Sequence, residues 1–228
     1  MIKNIVNLGD AAIYCDFGNE DDKETNLKVI KYFKNIKDKN LKGVTNLSPS
    51  YNKLIITFDL NETSFDKLSL DLSNLDIENE IENKCQKINI PLCFDDEYSL
   101  DISRLEKKLS KSKNEIIKTF LSKTYFCYMT GFIAGMPFLG DLNKSIMLDR
   151  LETPRVKVPK GSVGLTEQFC NIYTFESPGG WNIIGNTPTK IFNSLRLSKP
   201  NLINPGDEVS FYEINKKEYL KVYNEWVF

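Results

Sequence analysis

Glycine and proline are spread so unevenly along this chain that they divide it before any motif is read. Of 12 glycines, only Gly9, Gly18 and Gly43 precede residue 128, and of 9 prolines only Pro49 and Pro91 do. Dense turn punctuation in the remainder implies many short strands, whereas the first part can sustain helices. With 228 residues, the chain is long enough for two small domains, each with a core. The expected class is α+β. A small N-terminal α/β domain spans residues 1–84, and a domain of short strands closing into a barrel spans 85–228.

Periodicity gives the elements. Ala11 to Phe17 and Leu54 to Phe58 read as strands, Glu24 to Leu41 as a helix with Leu27, Ile30, Phe33 and Ile36 on one face, and Phe65 to Leu75 as a weaker amphipathic helix. A β-α-β-β-α order follows for the first domain. Lys87 to Phe94 opens the second domain as a strand, and two short helices follow. Leu105 and Leu109 point inward on the first of these. Ser112 with Glu115 forms a capping box on the second, whose apolar face is Ile116, Ile117, Phe120 and Leu121. Short strands are then expected at Tyr125–Met129, Ser162–Leu165, Asn171–Phe175, Trp181–Ile184 and Glu208–Ile214.

Composition removes whole classes of chemistry. The chain has no histidine, so alone it builds neither a Ser-His-Asp triad nor a histidine-ligated metal site. Thirty basic residues against 31 acidic ones leave no field to attract nucleic acid. Five scattered cysteines without a C-x-x-C pair fit a reduced compartment, and with no signal-like N-terminus the expected location is the cytoplasm. The uncharged run Thr124 to Gly140 is too short, and too broken by Pro137 and its glycines, to span a bilayer. No P-loop is present, so phosphate binding by that device is not expected.

Arginine is scarce, 4 residues among 30 basic ones, and Arg150 and Arg155 lie in one loop-like stretch. A planar fork is worth keeping for carboxylate or phosphate recognition, or for an internal ion pair with Asp149, Glu152 or Asp141. Glu176-Ser-Pro-Gly-Gly-Trp181 lets backbone approach a ligand and aim amides at negative charge, or makes a tight hairpin plugged by Trp181. Asp95, Asp96 and Glu97 suit either a hard cation or a solvated turn. Cys170 reads as packing, and no metal site is identified.

In order, several stretches resemble the family of KipI and the 5-oxoprolinase B subunits, also known as allophanate hydrolase subunit 1. They are Gly9 to Gly18, Gly43 to Asp59, Ile90 to Phe94, Gly131 to Leu139, Thr153 to Gly164, Glu176 to Pro188 and Asn204 to Phe211. The resemblance implies an N-terminal α/β domain followed by a cyclophilin-like β-barrel. It also implies a non-autonomous B-type subunit that shares a site with a homologous C-type subunit and, with an A-type subunit, opens 5-oxoproline, a small lactam, at the expense of ATP. The complex uses the ATP; this chain is not expected to bind it. Arg155 and Arg150 are the implied catalytic residues, and Lys157, Ser177, Gly179, Gly180 and Trp181 the implied substrate contacts. A KipI-like inhibitor of a sensor histidine kinase and a urea-carboxylase-type module are the other roles in the family. The chain departs from the pattern at Phe120, where the family carries histidine, at Glu167 to Asn171, and at Ala134 to Met136. Each change is expected to make the implied pocket less polar.

Overall fold

The computed structural model describes residues 2–20, 22–75 and 85–225, which fall into two compact units, Met1–Lys84 and Cys85–Phe228. The first unit runs β1 (Asn4–Asn7), β2 (Ala12–Asp16), α1 (Lys23–Lys39), β3 (Val44–Pro49), β4 (Lys53–Phe58) and α2 (Phe65–Ser73). Its strands form an antiparallel sheet in the order β1-β2-β4-β3. β1 is absent from the expected order because it is short and largely exposed; pairing with β2, from Asn4 opposite Asp16 to Asn7 opposite Ile13, is what makes it a strand.

Alternation along β4 sends Leu54, Ile56 and Phe58 into the core. There they meet Val29, Tyr32 and Ile36 of α1 and Leu68 and Leu72 of α2. The α1 face is therefore turned slightly from the Leu27-based expectation: Leu27 is only half-buried, and Asn26 is buried, donating to the carbonyls of Ser50 and Tyr51. Asp22 caps the helix by accepting from Thr25 N–H, and Asn40 closes it in the left-handed region at φ 46°.

The second unit runs β5 (Lys87–Cys93), α3 (Ile102–Leu109), α4 (Lys113–Leu121), β6 (Thr124–Thr130), β7 (Pro137–Gly140), β8 (Arg155–Val158), β9 (Ser162–Thr166), β10 (Phe169–Ile172), β11 (Ser177–Gly179), β12 (Asn182–Asn186), β13 (Glu208–Ile214) and α5 (Lys216–Glu225). Seven strands close into a barrel, β10-β7-β6-β13-β5-β12-β9, and β8 pairs with β11 as a separate ribbon. The Ser112–Glu115 capping box on α4 is present in full. Leu105, Ile116 and Phe120 from the helices join Leu92, Leu139, Val163, Leu165, Cys170, Ile172 and Val209 in the main core.

Strand parity makes a second face. Val163 and Leu165 enter the main core, so Gly164 between them looks the other way, in register with Asn171 and Ile183. On that side Ile183 packs with Met136, Tyr173 and Val158 of the ribbon, flanked by Ile133 and Phe138. The β8–β11 ribbon is thus a cover on the outer face of the barrel. Among the described residues, no helix is long and apolar enough to cross a membrane.

Candidate functional site

The ribbon and the loop before it gather the arginines and the glycine pair. Arg155 begins β8 and lies opposite Gly179 of β11. Its guanidinium forks onto Asp101, Nη1 to Oδ2 at 2.9 Å and Nη2 to Oδ1 at 2.6 Å. The ion pair allowed for on sequence grounds therefore exists, but with a partner none of the local candidates supplied; Asp141, for one, accepts from the Tyr128 hydroxyl instead. Asp101 stands at the N-cap of α3 without capping it. Its carboxylate reaches across to the Ile183 N–H at 2.7 Å, while its own N–H donates to Ile183 O. Helix, barrel strand and ribbon meet on this one buried carboxylate.

The loop from 147 to 154 is fastened at several points. Arg104 donates to Asn182 Oδ1 and to Asp149 O, Asn182 Nδ2 also donates to Asp149 O, and Leu151 N–H donates to Gly180 O at 2.6 Å. This holds Arg150 over the glycine pair: a Cβ on Gly180 would lie 3.2 Å from Arg150 Nε and Nη2. Arg150 is exposed, and among the described residues its guanidinium has no carboxylate partner. Lys157 is exposed and pairs with Glu176 at 3.0 Å.

Tyr173, which motif reasoning passed over, links these pieces. It is buried, and its hydroxyl takes the place a side chain on Gly179 would need. That contact is why position 179 is glycine. The Trp181 N–H points at the same hydroxyl. Fully buried Asn171 reaches toward it too, without a hydrogen bond of good geometry among the described residues. Burial pushes the Tyr173 hydroxyl above its ordinary pKa; Asn171, the Trp181 amide and the charges of Arg150 and Arg155 offset part of the rise. The side chain is a neutral phenol at physiological pH, able to donate but not to act as a base. Ser177 Oγ, on β11 of the ribbon, is buried without a hydrogen-bond partner among the described residues. Trp181 is half-buried, edge-on to Phe138 with ring centroids 5.6 Å apart, so it seals the ribbon's edge and is no deep core plug.

Tyr173, only 1% exposed, is also part of the wall of a cleft of about 570 Å³. Its floor is polar and fixed. Asn186 Nδ2 donates to Lys160 O, Asn186 Oδ1 accepts from the Tyr219 hydroxyl, Gly161 N–H donates to Tyr173 O, and Thr187 N–H donates to Gly161 O. Gly161 sits at φ 82°, and Asn186 Oδ1 lies 2.5 Å from where a side chain would begin. Tyr98 and Tyr219, stacked at 4.5 Å, and Tyr223 beyond them line the cleft as well. The sequence signal for this site was Pro159 to Ser162 with Asn186 to Pro188, stretches read only as motif matches.

The departures from the family pattern behave differently from the expectation. Phe120 packs inside the barrel, stacked on Tyr125 at 5.0 Å and against Phe211 at 5.1 Å, and takes no part in the pocket. The Glu167 to Asn171 stretch makes the β9–β10 turn and supplies buried, polar Asn171, which is not a loss of polarity. Ala134 O accepts from Thr174 Oγ1 at 2.7 Å, and Met136 joins the cluster under the ribbon. Cys170 is core packing, its thiol pushed well up by burial. The acidic turn is paired with lysines, Asp96 with Lys113 and Glu97, at the edge of the cleft, with Lys216.

A closed barrel with a two-stranded ribbon on its outer face and a polar cleft lined by Tyr173, Lys160 and Asn186, with an α/β unit ahead of it in sequence, defines a two-unit architecture found in carboxyltransferase-type proteins. The chain belongs to that family: the model for the carboxyltransferase domain, subdomain C and D, matches residues 3–203. The chain is 30% identical over 227 residues to the 5-oxoprolinase B subunit of Bacillus subtilis (strain 168), covering 94% of each chain. A Haemophilus influenzae protein of the same name is 39% identical over 124 residues, 54% of this chain and 58% of that one. Among solved structures, TTHA0988 matches with a TM-score of 0.81 at 27% identity, over 89% of this chain but only 40% of that longer one. The Kluyveromyces lactis urea amidolyase shares the fold at a TM-score of 0.79 and 19% identity, over 97% of this chain and 15% of that one.

Proposed function

We propose that this chain is the B-type subunit of an ATP-dependent hydrolase of the 5-oxoprolinase kind, acting on a small lactam or amide at a site completed by a homologous C-type subunit. The observation that carries this reading is the end-to-end match to a 5-oxoprolinase B subunit, 94% of both chains. ATP enters as a substrate of the whole complex with its A-type subunit. The sequence has no P-loop, so phosphate handling is assigned to a partner.

Within the chain, the cleft beside Tyr173 receives the substrate. Arg150, held over Gly180 beside the ribbon and without a carboxylate partner among the described residues, is assigned to negative charge that develops on the substrate or on a phosphorylated intermediate. Arg155 is committed to Asp101 and acts as a positioning residue, keeping the ribbon and its glycine pair in place. Lys157, Ser177 and Trp181 shape the ribbon edge. The chain supplies no histidine base, so the general base belongs to the partner subunit or to a carboxylate at the shared site.

The test is reconstitution. Co-expressed with its C-type subunit and supplemented with the A-type subunit, the chain should support 5-oxoproline-dependent ATP hydrolysis that disappears when it is omitted. A stable complex that hydrolyses no ATP with 5-oxoproline would overturn the substrate assignment, and failure to form a complex would overturn the subunit reading.

A further inference from the structure

The cleft carries a charge pattern that the family match does not explain. Its two carboxylates are each neutralised by a lysine that does not line it, Glu97 by Lys216 at 2.9 Å and Glu176 by Lys157 at 3.0 Å. Its two lysines, Lys160 and Lys190, have no carboxylate partner among the described residues. With both acids answered, the cleft is left net positive. Lys160 is exposed, and its backbone is anchored at the floor, since its carbonyl accepts from Asn186 Nδ2 and the next residue is the constrained Gly161. Lys190 is half-buried on the segment that follows Thr187 and Thr189, where Thr189 N–H donates to Thr187 Oγ1 and fixes the turn. Tyr98, Tyr219 and Tyr223 supply flat apolar surface in the same cleft. A molecule fitting both features has a compact apolar ring and one anionic group.

We propose that Lys160 and Lys190 form the anion-recognition end of the cleft and select a lactam or amide bearing a carboxylate over its uncharged analogue. This rests on the reading of the cleft as the substrate site. It moves carboxylate recognition from the arginines to the lysines and leaves Arg150 free for charge that develops during reaction.

The discriminating pair of probes is 5-oxoproline and 2-pyrrolidinone, the same lactam without its acid. Binding of each is followed by ligand-observed NMR, on the full chain and on its complex with the C-type subunit. The unsubstituted protein should prefer 5-oxoproline by about tenfold or more, the scale of one hydrogen bond to a charged group. The preference should weaken in high salt and vanish in a Lys160→Met, Lys190→Met double variant, with 2-pyrrolidinone binding unchanged. Lys160→Arg and Lys190→Arg, which keep the charge, should retain most of it. An acid preference that survives the double methionine variant, or is missing from both chain and complex, overturns the proposal. Turnover separates this from the broader reading. A complex that hydrolyses 5-oxoproline with unchanged KM in the double variant sinks the lysine assignment alone. A complex that binds the acid preferentially but never turns it over sinks the hydrolase reading alone.

Discussion

The guanidinium of Arg155 and the carboxylate of Asp101, 54 residues apart in sequence, meet in a two-point fork whose acid also receives the Ile183 N–H. Asp101 is 5% exposed at its side chain and Arg155 29%, so removing the arginine strands a nearly buried charge, whereas removing the aspartate frees a group that can turn to water. Arg155→Ala should cost about 3 kcal/mol in urea unfolding, at the low end for breaking a buried pair because the Ile183 amide remains. Arg155→Lys should recover less than half, since an ammonium cannot reproduce the fork. Unchanged stability in Arg155→Ala would show that the pair does not hold the ribbon.

Arg150 should behave in the opposite way. It is exposed and lacks a carboxylate partner among the described residues, so Arg150→Ala should alter stability by no more than about 0.5 kcal/mol. In the reconstituted complex it should lower kcat by about a hundredfold, the scale of one oriented donor to developing charge. A loss confined to stability, with normal turnover per folded complex, would remove Arg150 from the site.

Gly179 and Tyr173 form a pair testable by compensation. A Cβ at 179 overlaps the Tyr173 hydroxyl, so Gly179→Ala should cost about 1–3 kcal/mol as an overpacked site. Removing the hydroxyl with Tyr173→Phe in the same chain should return part of that loss, a positive coupling in a double-mutant cycle. Strict additivity of the two changes would mean that the hydroxyl is not what position 179 accommodates.

The legible parts of this molecule are those governed by near neighbours. The Ser112–Glu115 capping box, the inward face of α4 and the strand Glu208–Ile214 depend on spacing within a few residues, and all are present as read. The site is less legible because its contacts are distant and single. Nothing around Arg155 points to Asp101. The expected strand Asn171–Phe175 in fact begins at Phe169 and ends at Ile172, freeing Tyr173 to turn under the ribbon. β8 and β11 are too short to show a period, and α5 is mostly exposed, its Tyr219 buried by packing rather than by pattern. The barrel follows from many weak local signals; the cleft follows from a few side chains that only closure brings together.

Cysteine reactivity offers a check on burial. Cys15, Cys93, Cys127 and Cys170 are buried, and Cys85 is exposed. Burial raises the thiol of Cys15 to about 12 and pushes Cys93, Cys127 and Cys170 upward as well. A colorimetric thiol reagent at mildly alkaline pH should therefore modify one thiol rapidly in the native protein and all five in denaturant, with Cys85→Ser abolishing the fast phase. Rapid labelling of Cys170 in the folded chain would contradict its place in the barrel core.

In the first unit, the pH dependence has a definite sign. The Lys53 ammonium, 2.5 Å from Asp16 Oδ1, and the Gly18 N–H at 2.7 Å hold the Asp16 carboxyl below its ordinary pKa, the lysine hydrogen bond contributing most. The fold thus favours the ionised form. The resulting stabilisation is fully present above the unfolded-state value of about 3.9 and is lost as pH falls through the lower folded-state value. Asp16→Asn should weaken hydrogen-exchange protection of the paired β2 and β4 amides at neutral pH, and the gap from the parent protein should close as pH drops below about 4. Lys53→Met should narrow the gap on acidification only in part, because it removes the main cause of the depressed pKa but also the Lys53 ammonium bond to Gly18 O, which does not depend on the Asp16 charge. A gap that stays constant from neutral to acid pH would place the contribution of Asp16 in its shape and neutral hydrogen bonding, not in its charge.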